Sequence, residues 1–142
     1  LGSTDSIITE FSVSSGGTAG TFMLTGPNGV GSAYYGWRSR GTATQDVSVS
    51  GFPPPLTSVL TGTGDVSGDR ATLRVSGALA GESLADQGTG NFGNYPLYIG
   101  ARASASAFFN GHLYGLLIRG ALSNTAQIAN AESFINSKTR AY

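Results

Sequence analysis

The chain of 142 residues has no cysteine, one histidine and few charged residues. Without cysteine it can form neither a disulfide framework nor a thiolate zinc site, and it has no thiol nucleophile. Eight Lys and Arg residues balance eight Asp and Glu residues, so the formal net charge is zero. Because nucleic acids and anionic membranes are bound through excess positive charge, we expect neither as a partner.

Long apolar runs are also missing. None approaches the ~20 residues that a membrane-spanning helix needs, and the N-terminus lacks the basic-then-apolar pattern of a signal peptide. We therefore expect no membrane insertion. The length fits one hydrophobic core, which predicts a single domain over residues 1–142.

Glycine, in contrast, is abundant, with 22 residues, and the apolar residues fall in short runs between turn signals. Such spacing is typical of an all-β sandwich, because glycine and β-branched residues disfavour helix interiors. The pattern predicts strands at residues 6–13, 21–24, 33–39, 46–50, 56–61, 70–75, 96–99 and 112–119. The expected fold is an antiparallel two-sheet sandwich.

Two local patterns refine this prediction. Alternation points Tyr35 and Trp37 inward on one strand and Leu73 and Val75 inward on another. The proline run at 53–55 cannot donate ladder hydrogen bonds, which predicts a crossover between the sheets.

Two further signals concern the C-terminal third. The dipeptide Asn110-Gly111 is the strongest hairpin candidate. After it, Asn124 and Gln127 form a capping-box pair ahead of apolar residues at helical spacing, which predicts one short helix.

Several motifs occur in a fixed order: residues 65–77 (DVSGDRATLRVSG), 96–102 (PLYIGAR), 108–118 (FFNGHLYGLLI) and 121–123 (ALS). They resemble signatures of the laminin-G and concanavalin A-like jelly rolls, with Ser76 replacing the family's asparagine. The arrangement with a terminal helix is similar to jelly-roll domains of tailed-phage structural proteins.

Such domains carry more strands ahead of the segment that matches residues 6–13. The resemblance therefore implies that the N-terminal strands of the sandwich are missing here, or that a neighbouring chain supplies them. An open sheet edge favours strand exchange, so we expect a homo-oligomer or contacts with neighbours in a virion.

We expect no enzymatic activity. The single histidine, His112, follows a predicted hairpin, and no nucleophile-elbow motif surrounds any serine. Glycoside hydrolases of related fold need two carboxylates flanking a cleft. Glu10 and Glu132 are far apart in sequence and Glu82 lies near a predicted turn, so no pair is visible.

For binding, two sets of residues stand out. Asp65 and Asp69 could offer oxygen ligands to calcium, although aspartates that hydrogen-bond a polar turn are the alternative. Tyrosine rings stack on sugars while amides and carboxylates bind hydroxyl groups, which predicts a glycan-facing cluster made of Tyr95, Asn91, Asn94, Asp86 and Tyr98. The alternative for this loop is a glycine-rich turn that serves backbone geometry alone. No other cofactor is expected.

The leading hypothesis is a surface structural and adhesion module, of a virion or cell surface by the family resemblance, with a glycan or surface protein as partner. The alternatives are a carbohydrate-binding accessory domain of a larger enzyme and a hydrolase with an unrecognised site.

Overall fold

A computed structural model describes residues 6–14, 17–27 and 33–142. The described chain forms two antiparallel sheets followed by one helix. Its elements are β1 (Ser6–Phe11), β2 (Thr21–Gly26), β3 (Tyr34–Arg40), β4 (Thr44–Ser50), β5 (Leu60–Asp65), β6 (Arg70–Val75), β7 (Ala78–Ser83), β8 (Leu97–Ile99) and α1 (Thr125–Thr139). The predicted all-β two-sheet sandwich with a C-terminal helix is confirmed.

The larger sheet has five strands in the order β4-β3-β2-β1-β8, and the smaller sheet has the order β5-β6-β7. Successive strands pair with each other except at two places. Residues 51–59, which include the proline run, cross from β4 in the large sheet to β5 in the small sheet, as predicted. Later, β8 returns to the large sheet and pairs with β1.

The core lies between the sheets and follows the predicted alternation. Tyr35, Trp37, Leu73 and Val75 are all buried in it. The Trp37 indole crosses to the small sheet, where its Nε1 donates a hydrogen bond to the Thr63 carbonyl at 2.9 Å. A Cβ atom at Gly62 would overlap the Trp37 ring. Glycine is therefore required there by the close approach of the ring.

The strand predicted at residues 112–119 is wrong, because the structure forms no strand there, and β5 begins at Leu60 instead of at residue 56. The hairpin predicted at Asn110-Gly111 is also wrong. A two-residue hairpin instead joins β6 to β7, where Ser76 and Gly77 have φ values of 49° and 82°. Positive φ at both central residues is the signature of a type I′ turn.

Strand β7 escaped prediction because its sequence, ALAGES, consists largely of residues with low β-propensity. It forms through pairing with β6, not through its own preference. Sheet formation at this place is a tertiary effect, which a local pattern does not reveal.

The predicted helix is confirmed together with its cap. The Gln127 amide donates to Asn124 Oδ1 at 2.9 Å, and the Asn124 amide donates to Gln127 Oε1 at 3.1 Å. The helix is held to β6 through Glu132, whose carboxylate accepts from the Arg74 guanidinium at 2.7 and 3.1 Å. Because Arg74 alternates with the core residues Leu73 and Val75, this contact with α1 lies on the outer face of the small sheet.

Candidate functional site

The loops that carry most of the predicted site residues lie at one end of the sandwich. The antiparallel pairing brings the β1–β2, β3–β4 and β5–β6 connections to the same end, and the long loop at residues 84–96 runs across them. We name this end the rim. It carries the predicted residues Asp65, Asp69, Asp86, Asn91, Asn94 and Tyr95.

The 84–96 loop is fixed by a fully buried glutamine. The side-chain Nε2 of Gln87 donates to the Asp65 backbone carbonyl at 2.9 Å, and the Gln87 backbone carbonyl accepts from the Ala43 amide at 2.9 Å. Farther along, the Gly93 amide donates to the Gly20 carbonyl at 2.9 Å. The loop is thus tied by hydrogen bonds to three separate parts of the rim.

Both aspartates of the calcium hypothesis face donors of the protein itself. Asp65 Oδ1 accepts from the Ser67 hydroxyl at 2.9 Å and from the Gly68 amide at 3.0 Å. Asp69 Oδ1 accepts from the Gln87 amide at 2.9 Å. Within the described ranges, no group of three or more His, Asp or Glu side chains could hold a metal ion. These contacts match the polar-turn alternative, and calcium binding stays a prediction.

The predicted glycan cluster is spread over the rim. Tyr95 is half-buried: its ring lies 5.8 Å from that of Phe11, and its hydroxyl donates to the Ala19 carbonyl at 3.1 Å. Asp86 Oδ1 accepts from the Gly88 amide at 2.6 Å, whereas Asn94 is exposed. Asn91 Oδ1 accepts from the adjacent Phe92 amide at 2.8 Å.

Tyr98 does not join this cluster. It pairs with Glu10 across the β1–β8 ladder, whereas Leu97 pairs with Phe11, the residue on which Tyr95 packs. Because paired residues share a face and neighbours alternate, Tyr98 and Tyr95 lie on opposite faces of the large sheet. The Tyr98 hydroxyl donates to the Val13 carbonyl at 3.0 Å.

His112, the residue considered for general-base catalysis, is exposed, and its ring stacks on Tyr114 with centroids 6.1 Å apart. No strand or hairpin positions it.

Sequence reasoning missed two buried ion pairs. Glu10 is 0% exposed on the outer face of β1, where its Oε2 accepts from Arg102 Nε at 3.3 Å and its Oε1 from the Ser12 hydroxyl at 3.0 Å. Glu132 is 4% exposed beneath α1. Its hydrogen bond raises the pKa of Arg74 above the usual arginine value. Since the partners are 92 and 58 residues apart, no local pattern could have paired them.

A third feature is an exposed apolar stretch, part of which was predicted to be a paired strand. Residues 108–122, which we name the apolar segment, form no strand or helix. Among the described residues, Phe109 alone links this segment to another part of the chain by a backbone–backbone hydrogen bond, its amide donating to the Gly100 carbonyl. Seven large apolar side chains of this segment are exposed: Phe108, Leu113, Tyr114, Leu116, Leu117, Ile118 and Leu122. Their β-type pattern could have suggested an unpaired strand.

Comparison with protein-family models, curated proteins and solved structures yields no match to this chain. In the part that the structure describes, no helix has the length and apolar character required to cross a membrane.

Proposed function

We propose that this chain is a non-enzymatic structural and adhesion module of a virion or cell surface, and that it acts by assembling with copies of itself or with neighbouring surface proteins. The observation that carries the proposal is the exposure of the apolar segment. Contiguous apolar surface of this kind marks protein interaction sites, because monomeric soluble proteins rarely leave such patches in water.

The engagement of the carboxylates supports the non-enzymatic part. Of the eight acidic residues, all but Asp5 lie in the described ranges. Four of these seven pair with arginine and three accept backbone amide hydrogen bonds; they are Glu10, Asp46, Glu82 and Glu132, and Asp65, Asp69 and Asp86. A glycosidase needs two carboxylates free to face a substrate. Structural use of the acids argues against that chemistry.

The surface location rests on the motif resemblance to laminin-G-like jelly rolls and on the similarity of the overall arrangement to jelly-roll domains of tailed-phage structural proteins. A glycan or a surface protein is the partner class that this resemblance implies. The balanced charge adds a reason to set nucleic acid aside.

Carbohydrate binding at the rim is the second candidate, either in this role or as an accessory domain of a larger enzyme. It is favoured by the exposed amide of Asn94 beside Tyr95. The packing of Tyr95 on Phe11 and its hydroxyl bond to Ala19 leave less of the ring for stacking on a sugar.

The experiment combines three measurements on the full chain: sedimentation velocity over a concentration series, a glycan array run in calcium and in chelator, and a screen for glycoside hydrolysis. We expect concentration-dependent association without turnover. A persistent monomer that binds sugar, with binding lost in Asn94→Ala, would replace the proposal with the second candidate. Turnover lost on changing one carboxylate would refute the non-enzymatic assignment.

A further inference from the structure

The edge strand β8 offers an unusual combination of free backbone and free apolar side chains. The Ser12 amide donates to the Pro96 carbonyl, and the Gly100 amide donates to the Ile8 carbonyl, so even-numbered residues of β8 face β1. Hydrogen bonding alternates along an antiparallel strand. The amide and carbonyl groups of Leu97 and Ile99 therefore point to the open side of the sheet.

The side chains of the same two residues are also uncovered. Leu97 is 39% exposed and Ile99 is 56% exposed, although both lie on the inner face that Phe11 shares. The reason is the unequal width of the sheets. The closest approaches between them join β7 to β4, β6 to β3 and β4, and β5 to β3. The small sheet thus lies over β3 and β4, and the β1–β8 side of the large sheet extends past it.

The apolar segment has the complementary properties. Residues 112–119 contain no helix, turn or bend, their backbone makes no hydrogen bond to backbone of the described residues, and five of their exposed side chains are large and apolar. A strand of this kind adds to a sheet edge through main-chain hydrogen bonds, while its side chains fill the neighbouring apolar surface.

The chain's own segment does not take this place. The Phe109 amide donates to the Gly100 carbonyl at 2.8 Å, so the chain leaves the sheet beside the end of β8. To return along β8 it would need to reverse at Asn110-Gly111, and the structure forms no hairpin there. Each chain therefore presents both an unpaired strand and an unpaired edge.

From this complementarity we infer that residues 112–119 of one chain pair with β8 of a second copy as an added strand. The occupant is a second copy because one chain supplies both halves of the contact, and a net charge of zero sets up no repulsion between copies. The inference rests on the proposed function and specifies the interface through which assembly occurs.

Lysine substitutions test the two halves separately. Ile118→Lys changes the added strand and Ile99→Lys changes the edge, and each places a charge in the apolar contact. We expect each to raise the dissociation constant of self-association at least about tenfold, the effect of losing one central contact. The matched control is Leu79→Lys, since Leu79 is 52% exposed on the edge strand β7 of the other sheet.

A cross-linking experiment identifies the neighbours directly, because the chain has no native cysteine. An Ile99→Cys chain is mixed under mild oxidation with single-cysteine variants at Leu113, Tyr114, Leu116, Leu117 or Ile118. We expect mixed disulfide dimers at alternate positions of this series, since only one face of an added strand approaches Ile99.

Association that persists unchanged in Ile99→Lys and Ile118→Lys would overturn the inference while leaving the proposed assembly function standing. A wild-type chain that stays monomeric at every concentration would refute both. A Leu79→Cys chain serves as the control edge in the cross-linking experiment. Disulfides between it and the segment variants, with none at Ile99→Cys, would place the interface on the small sheet and overturn the inference.

Discussion

Strand β1 and residues 112–119 are both short runs with strand-forming sequences, yet they have opposite surroundings. β1 has a partner on each side, β2 and β8, and its residues Ser6–Glu10 are buried. Residues 112–119 have no strand partner in the described part of the chain, and all eight are exposed. The difference shows that alternation of apolar and polar residues indicates only that a segment is able to form a strand. Whether pairing occurs depends on which edges the rest of the chain, or another chain, provides.

The largest effect on stability is expected from removing the Arg102 guanidinium, which neutralises the buried Glu10 carboxylate of β1. In Arg102→Ala, Glu10 keeps its hydrogen bond from Ser12 but loses its counter-ion in a site that excludes water. Leaving a buried charge without its partner costs about 3–5 kcal/mol, and we expect a loss of about 3 kcal/mol in the free energy of unfolding. Urea denaturation measures it through the shift in midpoint.

The matched control is Arg70→Ala, which breaks the exposed pair with Glu82 and should cost less than about 1 kcal/mol. The double variant Arg102→Ala with Glu10→Gln should regain part of the stability, because the uncompensated charge is gone. Equal losses in the two single variants would mean that burial of Glu10 does not distinguish β1 from the surface.

A pair of glycines sharpens the same contrast. Gly62→Ala forces a Cβ atom into the Trp37 ring inside the sandwich, whereas Gly120→Ala, within the apolar segment, meets nothing within 4 Å. Overpacking of a core typically costs about 1–3 kcal/mol, so we expect about 2 kcal/mol for Gly62→Ala. Gly120→Ala should be neutral within about 0.5 kcal/mol. Thermal or urea unfolding of both variants tests this, and a large cost at Gly120 would indicate a packed segment.

The sequence predictions were accurate for features that depend on local sequence and failed for features that depend on a pairing partner. Alternation correctly placed Tyr35, Trp37, Leu73 and Val75 in the core, because a strand with one buried and one solvated face alternates apolar and polar residues. The capping box at Asn124 located the helix, because its two hydrogen bonds are local. Strand β7, in contrast, depends on β6 and left no signal of its own.

The candidate site was less predictable than the fold. Asp65 and Asp86 accept hydrogen bonds from amides of their own turns, as the polar-turn alternative expected for Asp65. The bond that occupies Asp69, in contrast, comes from Gln87, 18 residues away, and no local pattern could have predicted it. Likewise, the opposite faces of Tyr95 and Tyr98 follow from the register of β8 on β1. Sequence proximity grouped residues that the sheet separates.

The smallest expected effect concerns the turn that joins β6 to β7. Ser76 has a φ of 49° at the first central position of a type I′ turn, where asparagine is preferred because it tolerates the left-handed region. Ser76→Asn should therefore stabilise the chain by about 0.5 kcal/mol, in the range of other turn optimisations. The measurement is the urea midpoint, with Ser67→Asn in the neighbouring β5–β6 turn as the control, since Ser67 is absent from the positive-φ positions. A stabilising Ser76→Asn would show that β7, silent in the sequence, is set by its turn. An unchanged midpoint would instead mean that β7 is held by pairing with β6 alone. The difference between β7 and the unpaired residues 112–119 would then come entirely from whether a neighbouring strand edge is available.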